Sequence, residues 1–382
     1  MTGVQTCALP ISIRQSGGYP PLIFIIGGMW SMVFGINIDV VTFLNTVFLV
    51  IGIIGVYKIV RLLGKNEFIS SLAAVLFSFC PVVFDISRNF LLDLSLTVFV
   101  IWGLWCFIKS HYLNDFKYSL LFGLFLILSA LTKMNGFIYF LPLIILSFIK
   151  FLKDDNFKIL RNLFLIGIMF LVGVGWWWFI NFKNIYEYLT GLAGQGEPLT
   201  DPMNLLSLTT WIHYFKLFFN QQAQIIIGFL FVGSIVNFKK IKISKENKII
   251  FGLFLLVNYI VFTIIKNKDF RFTLPLVSVA TIIISLWIES IKENKFIKYL
   301  MVLVFVLLLF NFFCNSFEFP IKKEYKISFK SYVLDWVDVV NISDYPVRSP
   351  KKVLWPQKEI LDYVENGKKI LVLINREEIN DN

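Results

Sequence analysis

The sequence has few charged residues and few of the residues that usually carry soluble chemistry. Only 16% of its 382 residues are charged, and it contains two histidines and four cysteines. An ordinary soluble domain carries roughly 25% charged residues. Because 57% of the residues are apolar, the chain has more apolar surface than one globular core could bury. The composition excludes a soluble enzyme and a disordered chain, and it predicts a polytopic membrane protein.

Recognisable soluble-enzyme and metal motifs are also lacking. No Walker phosphate loop, dinucleotide fingerprint or HExxH zinc motif appears. The cysteines have no metal-ligand spacing, so we interpret them as small hydrophobic residues and predict no metal site. The net charge of +11 comes mostly from short clusters between apolar runs. This pattern is a topology signal and excludes nucleic acid as a partner.

The two ends of the chain differ from its apolar middle. Residues 1–12 resemble a translated sequencing adapter rather than a targeting segment. Residues 316–382 end in an amphipathic helical pattern at 357–367 and a strand pattern at 368–375, which is the start of an α/β unit. We therefore expect a fragment truncated at both ends. Its parts are an artefact at 1–12, a remnant of an outer loop with a juxtamembrane helix at 13–38, a transmembrane bundle at 39–315 and a truncated extracytoplasmic domain at 316–382.

The middle contains ten apolar runs that could span a bilayer. A spanning helix needs about 20 mostly apolar residues, so we expect the shorter runs to extend into their flanks. The runs are 39–60, 68–84, 94–109, 118–132, 136–150, 160–181, 223–237, 249–265, 272–290 and 299–315. The preceding segment Pro20–Ile36 opens with Pro-Pro and contains Gly27-Gly28. We interpret it as a juxtamembrane helix in the outer interface, with an eleventh span as the alternative.

The loops between these runs alternate in their content of lysine and arginine. One set holds sixteen such residues, which are Arg61, Lys65, Lys109, Lys117, Lys150, Lys153, Lys158, Arg161, Lys239, Lys240, Lys242, Lys245, Lys248, Lys292, Lys295 and Lys298. The other set holds seven, which are Arg88, Lys133, Lys183, Lys216, Lys266, Lys268 and Arg271. The richer set should be cytoplasmic. The segments 85–93, 133–136, 184–222 and 266–271 and the C-terminal tail then lie outside.

Charged residues beside the spans are candidate site residues, because a charge near the hydrocarbon core is costly. Asp85 and Arg88 are three residues apart and could pair on a helical turn. A structural pair is one interpretation of this segment. The other is a polar cavity at the outer boundary, lined by Arg88 and Asp93.

Two further cations lie at the ends of predicted spans. Lys133 precedes a tight turn at Asn135-Gly136, where it is either an interfacial anchor or a cation that faces a lipid-linked phosphate. Arg271 precedes the span that begins at Phe272. It is either an anchor or a bidentate phosphate ligand, a role that suits arginine better than lysine.

The outer loop 184–222 supplies the titratable groups that general acid–base chemistry would need. These are Glu197, Asp201 and His213. Their spacing does not distinguish them from solvated loop residues.

Five motifs, in order along the chain, resemble those of the protein O-mannosyltransferases and the lipid A aminoarabinose transferases. They are YPPL (Tyr19–Leu22), SRNFLLDLSLTVF (Ser87–Phe99), SALTKMNGFIYFLP (Ser129–Pro142), VGWWWFINFKNIYEYL (Val174–Leu189) and DFRFTLP (Asp269–Pro275). The chain departs from the family where Trp176-Trp177 replaces Pro-Trp and where Phe272 replaces tyrosine.

This resemblance implies a C-type glycosyltransferase (GT-C) fold, an all-α bundle of which about ten spans are present and the first is missing. It implies an inverting transfer of a hexosyl or pentosyl group from a polyprenyl-phosphate donor to a lipid, glycan or protein. The reaction would occur at the outer face of the plasma or inner membrane. The implied partners are membrane lipid and the donor, with no certain cofactor and a divalent metal left open.

The resemblance also implies roles for individual residues. Arg88 and Asp93 would shape the donor site, and Arg271 and Lys133 would face the lipid phosphate. The catalytic acid of the family lies in the first outer loop, upstream of Tyr19. We therefore predict that the chain as written is inactive.

Two other classes of function are alternatives. A lipid-linked sugar flippase or transporter would show charges in mid-span or paired broken helices, and the predicted spans are nearly free of charge. A non-catalytic membrane scaffold would lack the upstream acid in its full-length form.

Overall fold

Most of the described chain is helical. The computed structural model describes residues 19–190, 204–291, 295–317, 326–329 and 332–335. The α-helices are α1 (Leu22–Phe34), α2 (Ile38–Leu62), α3 (Glu67–Ser78), α4 (Pro81–Ile86), α5 (Leu92–Lys109), α6 (Phe116–Thr132), α7 (Leu141–Asp154), α8 (Phe157–Phe170), α9 (Trp176–Thr190), α10 (Leu208–Leu217), α11 (Gln224–Val236), α12 (Lys245–Ile264), α13 (Leu274–Ile291) and α14 (Lys295–Phe317). Two short strands, β1 (Lys326–Phe329) and β2 (Tyr332–Asp335), pair antiparallel.

Shorter helical segments join or interrupt these helices. Segments of 3₁₀-helix occupy Met134–Phe140, Phe238–Lys240 and Phe270–Thr273, and π-turns occupy Leu171–Gly175 and Phe218–Gln222. Many helices begin where a polar side chain accepts a hydrogen bond from the first turn, which satisfies a backbone N–H that has no partner within the helix. The capping residues are Asn37, Asn66, Asp115, Asn156, Ser207 and Ser244.

Six helical stretches of the described chain are long and apolar enough to cross a membrane. They are Asp39–Leu62, Leu92–Lys109, Met134–Asp154, Phe157–Glu187, Lys245–Ile264 and Phe270–Ile291. Shorter apolar helices occupy Leu22–Phe34, Glu67–Ser78, Phe116–Thr132 and Ile226–Val236. The chain is therefore a multi-pass membrane protein. The total of ten spans and the assignment of α1 to the interface remain predictions.

Helices α5 and α13 form the centre of the bundle. Within their apolar stretches 72% and 78% of the residues are buried, against 17% for Phe157–Glu187. The buried hydroxyls of Ser278, Thr281 and Ser285 donate to carbonyls three residues earlier in α13, at 2.7, 2.8 and 2.7 Å. A central helix can thus carry polar side chains in an apolar environment, because each hydroxyl has a partner in its own helix.

Four of the predicted spans are not single α-helices, and one of them, the run 272–290, begins within the 3₁₀ segment Phe270–Thr273. The run 68–84 breaks between α3 and α4, because Pro81 cannot donate a backbone hydrogen bond and Cys80 before it is extended at φ −64° and ψ 122°. The run 136–150 begins within the 3₁₀ segment Met134–Phe140. The run 160–181 passes through the π-turn Leu171–Gly175.

The predicted outer loop 184–222 is also partly helical. Helix α9 continues to Thr190, and α10 occupies Leu208–Leu217. The proposed artefact at 1–12 and the patterns at 357–367 and 368–375 lie outside the described residues.

Loops of the lysine-rich set contact one another at one end of the bundle. Lys65 Nζ lies 2.7 Å from the Glu289 carboxylate and donates to the carbonyl of Lys242 at 2.6 Å. Lys150 Nζ lies 3.6 Å from the Glu246 carboxylate. Segments of the lysine-poor set meet at a different place, described below. In the fold, these loops of the lysine-rich set therefore lie near one another, and segments of the lysine-poor set lie near one another at the other place.

The turn after α6 requires glycine at position 136. A Cβ atom there would lie 2.2 Å from the carbonyl oxygen of Ser129. We expect Gly136→Ala to destabilise the protein by about 1–3 kcal/mol, because the backbone must shift to admit the methyl group. The thermal midpoint of the purified protein in detergent measures this effect.

Gly167→Ala in α8 is the matched control. A Cβ atom at Gly167 meets no atom within 4 Å, and alanine favours a helix over glycine. The control should keep or raise the midpoint. Equal midpoints for Gly136→Ala and the unmodified protein would contradict the close approach at this turn.

Candidate functional site

The candidate site is built around the buried side chain of Asp93. This residue lies in the first turn of α5 and is 4% exposed. Its Oδ1 accepts a hydrogen bond from Lys133 Nζ at 2.7 Å. Lys133 is the extended residue that ends α6. Helices α5 and α6 follow one another along the chain and pack together. The start of α5, which carries Asp93, therefore lies beside the end of α6, where Lys133 is, and the two charges pair.

Backbone hydrogen bonds fix the turn that carries Lys133. The backbone N–H of Lys133 donates to Ser129 at 3.1 Å, and that of Gly136 donates to the Lys133 carbonyl at 2.8 Å. The ammonium group also lies 4.5 Å from the centre of the Phe272 ring. This cation–π contact connects α6 to the segment that begins α13.

Asp269 fixes Arg271 in the segment before α13. Its Oδ1 accepts from the backbone N–H of Arg271 at 2.8 Å, which caps the 3₁₀ segment Phe270–Thr273. Both carboxylate oxygens lie 2.9 Å from Arg271 Nε, and Oδ2 also accepts from Nη2. On the other side, Arg271 Nη1 lies 3.9 Å from Asp93 Oδ2. The guanidinium is therefore held next to the Asp93–Lys133 pair.

Two buried polar residues hold the Phe270–Thr273 segment. The hydroxyl of Tyr139 donates to the carbonyl of Phe272 at 2.5 Å. Gln222 Nε2 donates to the carbonyl of Phe270 and to Thr273 Oγ1, the latter at 2.6 Å. These bonds connect the 3₁₀ segment before α7 and the π-turn before α11 to the backbone that carries Arg271.

Asp85 lies in the last turn of α4, and Arg88 lies in the turn between α4 and α5. The guanidinium carbon of Arg88 lies 5.3 Å from the centre of the Phe84 ring and 5.6 Å from that of Phe312 in α14. Asp85 is 2% exposed. Burial raises the pKa of Asp85 to about 7, although the charges of Arg88 and Arg271 act to lower it.

The fold brings most of the candidate residues from the sequence close to one another. Asp93, Lys133 and Arg271 are in contact, and Arg88 lies in the turn that precedes α5, which carries Asp93. His213 lies on α10, half-buried, with its ring 5.4 Å from that of Tyr214. The other two acceptor-loop candidates, Glu197 and Asp201, lie outside the described residues.

Three residues of the site were not identified from the sequence. Asp269 had a local signal, because an aspartate two residues before Arg271 is placed to cap a short helix. Tyr139 and Gln222 had none, since their partners are 133 and 48 residues away along the chain.

The cluster is suited to binding an anion. When Asp85 is protonated, three cations face two ionised carboxylates and one positive charge remains; when it is ionised, the charges balance. Arginine and lysine side chains held by fixed carboxylates present N–H donors with the geometry that phosphate oxygens accept. Across the described residues, no group of three or more His, Cys, Asp or Glu is arranged to hold a metal ion.

Residues 19–178 match the family model described as dolichyl-phosphate-mannose-protein mannosyltransferase. The matched range contains Asp85, Arg88, Asp93 and Lys133, and Arg271 lies beyond it. No curated protein matches the sequence at a significant level.

Two solved structures share the fold. One is ArnT from Cupriavidus metallidurans bound to undecaprenyl phosphate, with a TM-score of 0.60 and 12% identity over 79% of this chain and 56% of that chain. The other is ArnT from the same organism in the apo state, with a TM-score of 0.56 and 13% identity over 79% and 55% of the two chains. The present chain thus spans little more than half the length of the ArnT chain. At these identities the likeness establishes the fold.

The raised pKa of Asp85 predicts a pH-dependent stability. A carboxyl group whose pKa is about 7 when folded and 3.8 when unfolded binds its proton more tightly in the folded state. The stability of the protein therefore falls as pH rises from about 4 to about 7. Asp85→Asn keeps the shape of the side chain and removes this dependence. We expect the variant to raise the thermal midpoint more at pH 8 than at pH 5; an equal change at both values would contradict the assignment.

Proposed function

We propose that this chain is a glycosyltransferase of the GT-C type that acts on a lipid-linked sugar, a proposal supported by its fold and by the family match over residues 19–178. The donor is a sugar on polyprenyl phosphate, and the acceptor is a lipid, glycan or protein. The transferred group is a hexosyl or pentosyl unit, and the reaction inverts the configuration at C1 of the sugar. The complete protein performs this transfer at the outer face of the plasma or inner membrane.

One observation carries this proposal. Lys133 and Arg271 lie in segments far apart in the sequence and converge on the buried carboxylate of Asp93, in a bundle with the fold of a protein that binds undecaprenyl phosphate. A carboxylate that orients two cations at one end of a membrane bundle supports a site for a phosphate attached to a lipid chain.

The chemistry follows from the charges. When the bond between C1 of the sugar and the phosphate oxygen breaks, negative charge grows on the phosphate, and fixed cations stabilise that charge. Arg271 and Lys133 supply this stabilisation in the proposal, and Arg88 contributes from the adjacent turn. Attack by the acceptor oxygen on the opposite face of C1 inverts its configuration.

Asp93 is assigned to holding the cations rather than to proton transfer. Its two oxygens face Lys133 and Arg271, and the side chain is almost fully buried. The catalytic base belongs to the acidic residue that the family carries upstream of Tyr19. Glu197, Asp201 and His213 are proposed to lie on the acceptor side.

Arg271→Ala tests the site most simply. We expect the purified chain to lose about tenfold or more of its affinity for undecaprenyl phosphate, because hydrogen bonds to a charged group are worth about 1.5–3 kcal/mol. Arg271→Lys should recover part of the affinity, since lysine keeps the charge and loses the bidentate geometry. Tryptophan fluorescence titration in nanodiscs measures the dissociation constant.

Lys150→Ala is the matched control for this titration. Lys150 is also a partly exposed cation in ion pairs, with Asp154 at 2.9 Å and Glu246 at 3.6 Å, but it belongs to the lysine-rich end. Its variant should bind undecaprenyl phosphate like the unmodified chain. Equal losses for the Arg271 and Lys150 variants would indicate a nonspecific charge effect and remove Arg271 from the site.

The proposed orientation places the candidate site and the C-terminus outside the cytoplasm, with the lysine-rich end inside. Lys240, at the end of the 3₁₀ segment Phe238–Lys240, belongs to the lysine-rich set, and Lys183, in α9, belongs to the lysine-poor set. Lys240→Cys and Lys183→Cys therefore report on the two sides of the membrane. On intact cells, a membrane-impermeant maleimide should label Lys183→Cys and leave Lys240→Cys unlabelled until the membrane is opened. The reverse pattern would contradict the orientation without affecting the fold.

A further inference from the structure

A buried asparagine in α2 binds the turn that precedes α5. Asn45 is 0% exposed. Its Nδ2 donates to the carbonyl of Leu91 at 2.9 Å and to that of Asn89, and the carbonyl of Ile86 lies 3.5 Å away. One side-chain amide therefore contacts three carbonyls within a six-residue segment, 41 to 46 residues further along the chain.

The carbonyls of this segment accept hydrogen bonds from the backbone and from Asn45. Helix α4 ends at Ile86, and the last carbonyls of a helix have no partner within it. The Ile86 carbonyl accepts from the N–H of Asn89 at 3.2 Å and the Asn89 carbonyl from the N–H of Leu91 at 2.9 Å, so Asn45 is a second donor to these two and a donor to Leu91. Leu91 stands before α5 in extended conformation and supplies no side-chain cap. Beside a membrane span these carbonyls have little access to water, so an unpaired one is costly. Thr46, next to Asn45, adds a contact from its Oγ1 to the carbonyl of Ser87 at 3.4 Å.

The carbonyl oxygen of the Asn45 amide indicates that the residue is there for its N–H donors. Its Oδ1 is buried and has no hydrogen-bond partner within the described part of the chain. A buried polar atom without a partner is unfavourable, and an apolar residue would fill the position at lower cost. Only the donors of Nδ2 offset that cost, and their acceptors are the last residue of α4 and two residues of the turn that follows it.

This turn carries two groups of the candidate site. Arg88 lies within it, and Asp93 follows it in the first turn of α5. The way this turn is held against α2 therefore sets the distance between Arg88 and Asp93. It also sets the distance from Arg88 to the two cations, Lys133 and Arg271, that contact Asp93.

We propose that Asn45 is a positioning residue, which fixes the turn between α4 and α5 and so holds Arg88 and Asp93 at the spacing that a lipid-linked phosphate requires. The phosphate part of this inference rests on the proposed function. The positioning contact itself does not.

The test compares two buried asparagines. Asn258 in α12 is also 0% exposed and has an unpartnered Oδ1, but its Nδ2 donates within its own helix, to Phe254 at 2.8 Å. Asn45→Leu and Asn258→Leu remove the same amide at similar side-chain volume. Asn45→Gln keeps the amide on a longer arm, and Asn45→Ser keeps one donor in a smaller side chain that serves if the leucine variant does not fold.

Hydrogen–deuterium exchange of the full chain in nanodiscs measures positioning without any ligand. We expect Asn45→Leu to speed the exchange of the amides of residues 87–91 by about tenfold or more, as the loss of about one hydrogen bond allows. Asn45→Gln should restore part of the protection, and Asn258→Leu should leave these amides unchanged. Unchanged exchange in Asn45→Leu, or in Asn45→Ser if that is the folded variant, would overturn the positioning role.

Titration with undecaprenyl phosphate tests the link to the ligand. Asn45→Leu should weaken the binding of undecaprenyl phosphate by about tenfold. Its thermal midpoint should be close to that of Asn258→Leu, and Asn45→Gln should recover part of the affinity. Faster exchange with unchanged affinity would overturn the phosphate part of the inference. If the unmodified chain shows no saturable binding, the proposed function fails, and the exchange experiment still decides the role of Asn45.

Discussion

The ion pair between Asp93 and Lys133 is the contact on which the candidate site depends. A buried carboxylate without a partner is strongly destabilising in a low-dielectric interior, because the lost hydration has to be replaced. Here the replacement comes from the end of α6 and from the segment before α13. Each additional contact, from Asp269, Tyr139 and Gln222, fixes one of the groups that compensate Asp93. Charge compensation therefore determines how three loops distant in sequence are arranged at one end of the bundle.

Much of this arrangement could be predicted from the sequence, because the signals involved are local. Apolar runs predict membrane helices, and all ten runs coincide with helical segments in the described structure. The uneven distribution of lysine and arginine separated the loops into two sets, and the structure groups members of each set together. Arg88, Asp93, Lys133 and Arg271 could be selected because a charge beside an apolar run needs a specific reason.

Other features could not be predicted, because they depend on contacts between distant parts of the chain. Asn45 reads in the sequence as one polar residue in an apolar helix, and its acceptors become visible only when the turn before α5 is placed against it. The break of the run 68–84 had a local cause at Pro81 that run length alone conceals. The raised pKa of Asp85 likewise follows from burial among helices, and the spacing of Asp85 to Arg88 could indicate only the pairing.

The central claim is that the cations around Asp93 bind the phosphate of a polyprenyl lipid. An experimental structure of the full chain in a lipid nanodisc with undecaprenyl phosphate tests it most directly. The account predicts the phosphorus atom within about 5 Å of both the Arg271 guanidinium and the Lys133 ammonium group, at hydrogen-bonding distance of its oxygens. A phosphate bound instead among the lysines near Lys65 and Lys242, with the Asp93 cluster unchanged, would contradict it.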